Sequence, residues 1–467
     1  MADWIPELGG ARNQGTKHRL LTDAIVADVE RGALAVGVRL PPHRALARRL
    51  GVSVQTVSAS YKEAERRGYL RSEVGRGTFV CHRTTERVDR FMLAQSPGDL
   101  VDLSIVRAAY TERHEEAARA LLRAMAEDEN GAWMRPCRPI AGLDRHRAAA
   151  CGWLARLGVP AEPDRVLITD GAAQAVFVAL ASIVRAGDVV LTEQLTDHGV
   201  IGLASLLGFT LRGLPTDREG IVPDAFAAAC AAFPVKALFC IPTFGNPSRY
   251  LAGAERRAEI ARIAGRHGVH VVEDEVFKPL LAEPLPAIAA MIPDLGFFAT
   301  SFTKSVLTGL RTGYLVVPPR YALRAASILR VTSWSGAPVL AEMAARWIES
   351  GAAEALLAVQ RAEMAARQAI AADVLGEAVA GAHPHALCAW IAVPDHWSEE
   401  ALVRTLFARG VAVTSSDPFV ADPARREGGI RICLGGVAPR GRLRAALETV
   451  RQTLEQLAPL SDAGLVA

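Results

Sequence analysis

Two hydrophobic periodicities divide the chain. Between residues 17 and 66 apolar positions recur every three or four residues, whereas from Val101 onward short apolar runs alternate with Ala-rich amphipathic stretches. In HRLLTDAIVADVERGAL the apolar residues Leu20, Leu21, Ala24, Ile25, Ala27 and Val29 share one face, which predicts an amphipathic helix ending near Gly32. After the break at Leu40-Pro41-Pro42, the segment HRALARRLGVSVQTVSASYKEAERRGYL predicts a helix from His43 to Leu50, a turn at Gly51-Val52 and a second helix capped by Ser53. That spacing is helix-turn-helix spacing. The following GYLRSEVGRGTFV has two β-prone runs around Gly75-Arg76-Gly77, a hairpin with a cation at its tip. In the second part, VLITD, VVLTE, ALFCIP, VHVVEDE, FFATSF and GYLVVP are separated by segments such as AERRAEIARIAGRHG. The pattern predicts an α/β body, a mostly parallel sheet sandwiched by helices, with ligands at the carboxyl ends of its strands.

Composition narrows this picture. The chain has 467 residues, 50% hydrophobic and 22% charged, a globular balance. At roughly 100–200 residues per domain it holds several units. No run of about 18 or more uncharged apolar residues occurs, and MADWIPELGG lacks the basic and apolar regions of a signal peptide, so a cytoplasmic, membrane-free protein is expected. Seven cysteines lie singly with no C-x-x-C pair, which predicts reduced thiols and no metal site. Net charge is +3, but residues 1–90 carry 16 Lys+Arg against 10 Asp+Glu, and the remainder 37 against 40. A basic head on a mildly acidic body indicates where nucleic acid would sit. HRTTERVDRFMLAQSPGD is polar and aperiodic, which gives a head over 1–81, a linker over 82–100 and a body over 101–460.

The candidate chemistry lies at a few points. At the start of the second head helix Val54, Gln55, Thr56 and Ser58 offer short or amide side chains able to approach bases and phosphates. In the body four loops at strand ends stand out. Gly171 opens a helix in VLITDGAAQAVFVAL and leaves the amides of Ala172 and Ala173 for an anion. Asn246-Pro247 sets a side-chain amide on a stiff turn, and VVEDEVF puts three carboxylates after a buried strand, at least one needing compensation if it points inward. Asp274 could pair with a cationic ring nitrogen. In SFTKSVLTGLR, Ser301, Lys304 and Arg311 combine a phosphate cup with an imine-forming amine. Arginine outnumbers lysine 48 to 5, so a lysine kept here argues for a deprotonable amine.

The segment LPPHRALARRLGVSVQTVSASYKEAERRGYLRSEVGRGTFV resembles the winged helix-turn-helix of the GntR family over residues 17–81. The resemblance implies that Arg44 holds phosphate or base, that Ser53, Gln55, Thr56 and Ser58 line the recognition helix, and that Arg76 sits on the wing. Val54 stands where that family often has arginine, so base preference does not carry over.

The four body loops, in order, resemble fold-type I pyridoxal phosphate enzymes of the class I aminotransferase family over residues 101–460, whose fold ends in a smaller α+β subdomain. By that resemblance Lys304 would carry the cofactor as a Schiff base, Asp274 would pair with the pyridinium nitrogen and Asn246 would bond the ring oxygen. Ala172, Ala173, Ser301 and Arg311 would hold the phosphate, and Arg431 in GGIRICLGG would grip a substrate or effector carboxylate. Two departures weaken an enzymatic reading. Leu195-Thr196-Asp197-His198-Gly199 lacks the ring-stacking aromatic unless His198 supplies it, and Asp274-Glu275-Val276-Phe277 has phenylalanine where the family has tyrosine. A GntR-like head on an aminotransferase-like body is similar to the MocR subfamily of bacterial regulators. This implies double-stranded operator DNA, a homodimer with each head against the partner's body, and a cofactor or amino-compound effector. The alternatives are a working aminotransferase with an accessory head, or a regulator with a cofactor-free body.

Overall fold

Proline and glycine set the limits of the head's elements, and a small apolar core joins them. The computed structural model describes residue 4 and residues 17–30, 33–34, 38–66, 69–73, 77–80, 100–129, 131–134, 138–422, 428–437 and 439–457. The chain divides into two compact units, Met1–Gln95 and Ser96–Ala467. In the first, α1 (Lys17–Glu30), α2 (His43–Leu50) and α3 (Val54–Arg66) precede the antiparallel pair β1 (Leu70–Glu73) and β2 (Gly77–Val80). Helix α2 ends at Gly51, whose φ of 62° is the left-handed cap and whose N–H donates to the Ala47 carbonyl. Ser53 Oγ then accepts from the Thr56 amide at 3.0 Å and starts α3. Leu21, Ile25, Leu46, Val57, Tyr61 and Val80 form the core. One sequence expectation changes: Ala27 is exposed, and the buried position goes to Asp28, whose Oδ2 accepts from Trp4 Nε1 at 2.6 Å. Arg76 and residues 81–99, hence nearly all of the expected linker, lie outside the described residues.

The second unit is built on a seven-stranded sheet. Its strands are β3 (Val166–Thr169), β4 (Val189–Glu193), β5 (Thr210–Leu214), β6 (Val235–Cys240), β7 (His270–Asp274), β8 (Gly296–Ser301) and β9 (Gly313–Val316), in the order β3-β9-β8-β7-β6-β4-β5. Only β9 runs against its neighbours. Each apolar run read from the sequence is a strand of this sheet; β5, which is TLRGL with alternate exposed residues at the edge, escaped that reading. Strands β3, β8 and β9 are buried throughout, because helices such as α4 (Ala172–Ile183) and α5 (Ala254–His267) cover the sheet. A smaller sheet, β10 (Cys388–Ile391), β11 (Thr414–Ser415) and β12 (Ile430–Cys433), has β12 at its centre. The fold is thus a winged helix-turn-helix head with an α/β body of fold type I. Among the described residues no helix is long and apolar enough to cross a membrane.

Candidate functional site

Strand register brings the sequence-distant loops together. Ser301 pairs with Gly313 and Gly313 with Thr169, so the ends of β8, β9 and β3 meet side by side. Glycine is needed there: a Cβ on Gly313 would lie 2.6 Å from the Gly171 carbonyl carbon, and one on Gly171, at φ 88°, would lie 3.0 Å from Arg311 Nη2. Arg311 Nη2 approaches the Asp170 carbonyl at 3.5 Å, so its guanidinium stands over the opening of α4. The first-turn amides of α4, Ala172 and Ala173, have no intrahelical partner. Ser301 is buried, as is Thr303, whose hydroxyl has no hydrogen-bond partner. Thr303 was missed in the sequence, although its place one residue before the lysine made it readable.

Lys304 occupies the turn after β8. Its Nζ donates to the Val106 carbonyl at 2.6 Å, and burial lowers its pKa despite the nearby Asp197 carboxylate. Asp274, at the end of β7, faces the same cleft: burial first, then Asp197, pushes its carboxyl up to about 8. A second chain of bonds runs across the cleft. Asn246 Nδ2 donates to Asp197 Oδ2 at 2.8 Å, and Arg431 Nη1 donates to Asn246 Oδ1 at 2.7 Å. Arg431 is buried on central β12; its Nη2 donates to the Ser104 carbonyl at 2.7 Å, and its guanidinium lies 4.5 Å from the Phe419 ring centroid. No sequence signal pointed to Val106, Ser104 or Phe419, which reach the site from distant segments. His198 opens the helix His198–Leu207, with Nδ1 3.6 Å from Asp197 Oδ2 and its ring edge-on to Phe419 at 6.1 Å.

The residues present fit a phosphorylated, cationic-ring cofactor in two of three respects. A Gly171–Gly313 cradle beside Arg311, with the unpartnered Thr303 hydroxyl in the same loop, suits a phosphate. Asp274, whose carboxyl is pushed up to about 8 by burial and then by Asp197, suits a ring nitrogen that carries a proton. The ring oxygen is less well served, because the Asn246 amide is spent on Asp197 and Phe277 offers no donor.

In the head, Arg44 and Gln55 are exposed, Ser53 and Thr56 cap each other's turn with hydroxyls 2.8 Å apart, and Ser58 is half-buried. Val54, at the first position of α3, is 44% exposed.

The fold joins a helix-turn-helix head of the DNA-binding type to an aminotransferase-type body. Residues 99–450 match the family of aminotransferase class I and II, and residues 19–80 match the bacterial regulatory proteins of the gntR family. The chain belongs to the aminotransferase class I and II family and carries a gntR-family head, the MocR-subfamily arrangement. It is 26% identical over 456 residues, 97% of each chain, to the uncharacterized HTH-type transcriptional regulator YdeF of Bacillus subtilis. It is also 26% identical, over 85% of this chain and 87% of the relative, to the pyridoxine biosynthesis transcriptional regulator PdxR of Corynebacterium glutamicum. The kynurenine aminotransferase of Pyrococcus horikoshii shares the fold, with a TM-score of 0.72 at 19% identity over 80% of this chain and 95% of that one.

Proposed function

We propose that the body binds pyridoxal 5'-phosphate at Lys304 and that the bound cofactor, alone or with an amino compound, controls binding of the head to a double-stranded operator. The observation that carries this reading is the convergence of the Lys304 amine, the Asp274 carboxyl and the Gly171–Arg311 cradle on one rim of the sheet. When bound, pyridoxal phosphate supplies an aldehyde that condenses reversibly with primary amines. The protein's part is to hold and report. Ser301, Arg311 and the amides of Ala172 and Ala173 bind the phosphate, Asp274 meets the ring nitrogen, and Asn246 and His198 border the ring. Arg431 takes the carboxylate of an amino-acid-like effector. The relative named for regulation of pyridoxine biosynthesis supports a link between such a chain and this cofactor.

In this reading residues 1–81 form the head, 82–100 the linker and 101–460 the sensing body of a cytoplasmic homodimer, with two recognition helices on two half-sites. Effector binding shifts the populations of head arrangements and so the operator affinity. Borohydride reduction of the purified protein followed by peptide mapping tests the cofactor site: the label is expected on Lys304. A label on Lys278, or on no lysine, removes the reading.

Arg44 and Arg76 are the head's proposed phosphate contacts, with Ser53, Gln55, Thr56 and Ser58 on the recognition helix. Replacing Arg44 by alanine should weaken operator binding and reduce the slope of log affinity against log salt by about one. Gel shifts across a salt series measure both quantities, and unchanged values count against Arg44.

A further inference from the structure

At the amino ends of the strands, the edge opposite Lys304, a cavity of about 350 Å³ opens between Ile183, Arg185, Asp188, Lys236, Tyr321 and Arg324. Lys236 is the second residue of β6, and Arg185 and Asp188 lie in the connection from α4 to β4. Arg320 adjoins them, its guanidinium 5.0 Å from the Tyr321 ring centroid. Several arginines elsewhere in the body are paired: Arg256 with Asp217, Arg346 with Asp128 and Glu342, Arg440 with Glu363. Among the described residues Arg185, Lys236, Arg320 and Arg324 form no ion pair. The single carboxylate lining the cavity, Asp188, is engaged by the Arg185 amide at 2.8 Å.

Beneath the cluster, His270 is buried and accepts at Nε2, with Tyr321 Oη at 2.9 Å and Arg320 Nη2 at 3.0 Å. Burial, aided by the charges of Arg320 and Lys236, brings its pKa down to about 4, so it adds no charge and fixes Tyr321 and Arg320 in place. Three cations, Arg185, Lys236 and Arg324, line the cavity against the one carboxylate of Asp188, with Arg320 beside them, a surplus of positive charge that an anion would offset. Residues 91–467 are net acidic, so their general charge does not account for the cluster. The cavity has the size of a small-molecule site, and Ile183 and Tyr321 give it an apolar wall. Guanidinium and ammonium donors from several sides match a dianion with three oxygens better than a single carboxylate.

We infer that this cavity is a second, cofactor-independent site for a small phosphate monoester, with Arg185, Lys236, Arg320 and Arg324 on the phosphate and Tyr321 and Ile183 against its organic part. The inference stands apart from the reading of Lys304.

Calorimetric titration of the full chain with phenyl phosphate, inorganic phosphate and sulfate tests it. The phosphate cup near Lys304 is kept out of the measurement with an Arg311→Ala variant, which is expected to retain one saturable phenyl phosphate site per chain. Adding Lys236→Ala and Arg324→Ala should weaken that site at least tenfold while the circular dichroism melting curve stays unchanged. Equal binding of phenyl phosphate and sulfate would mean an adventitious ion only and overturns the inference, as does binding indifferent to the two added substitutions. Absence of phenyl phosphate binding, with DNA affinity lowered by Lys236→Ala and Arg324→Ala, would make the surface a DNA contact and equally overturns it. If the triple variant melts early, the single Lys236→Gln change in the Arg311→Ala background decides, with a loss of at least about threefold required.

Discussion

Replacing Arg257 by alanine is expected to lower the stability of the body by about 3–5 kcal/mol, because it strands two buried carboxylates. Arg257 comes from α5 and is fully buried. Its Nη1 donates to Glu275 Oε1 at 2.5 Å and to Glu273 Oε1 at 3.2 Å, its Nη2 to Thr243 Oγ1 at 2.8 Å, and its Nε to the Ala252 carbonyl at 2.8 Å. Lys278 Nζ stands 3.5 Å from Glu275 and cannot replace that fork. Glu273 keeps only the amides of Ile288 and Ala289, at 3.1 and 2.9 Å.

The loss should depend on pH in a defined sense. Burial and then Glu275 push the Glu273 carboxyl up to about 7 even with Arg257 present, and the arginine opposes that rise. A carboxyl whose folded pKa lies above its ordinary value contributes stability that is complete below that ordinary value and lost as pH rises through the folded pKa. Without Arg257 both carboxyls move upward, so the variant should lose more at pH 8 than at pH 5. Urea denaturation of cofactor-free protein at the two pH values measures this. A loss under about 1 kcal/mol, or a loss greater at pH 5, would remove the argument.

This network also marks where sequence reading stopped. The run VVEDEVF shows three carboxylates after a buried strand, of which any that points inward needs a partner. Two of them, Glu273 and Glu275, point inward and Asp274 points to the cleft, but nothing local names the partner, which lies 16 residues upstream on another element. The head was more legible, because Pro42, Gly51 and Ser53 punctuate it; α2 begins and ends where expected. Position 28 was not, since the aspartate is buried with its carboxylate bonded to Trp4, 24 residues away. Lys304 and Asp274 were readable as residue types after strands. The bonds linking Asp197, Asn246 and Arg431 depend on separations of 49 and 185 residues, and only the fold closes them.

Those bonds underlie the expectation that transaminase turnover is absent or slower than that of ordinary enzymes by at least about a hundredfold, the low end of what positioned proton transfer contributes. Burial alone would raise the Asp197 carboxyl, but His198, the Gly199 amide, Arg431 and Lys304 together hold it below its ordinary range. An anion therefore stands where an aromatic ring is expected, and it takes the Asn246 amide at 2.8 Å. Phe277 is buried and has no hydroxyl to donate, which forfeits a charge-assisted bond worth about 1.5–3 kcal/mol. Lys304 remains able to accept a proton, with its pKa lowered by burial, so the deficit lies in orientation and in the missing donors rather than in the base. Amino acids and simple amines should change the visible spectrum of the loaded protein without yielding keto acid or aldehyde when an acceptor is supplied. Introducing Asp197→Tyr together with Phe277→Tyr should raise any residual turnover about tenfold or more. Sustained turnover by the unmodified chain at about 1 s⁻¹ or faster, with an ordinary amino acid, would overturn this expectation and make the body an enzyme that happens to carry a DNA-binding head.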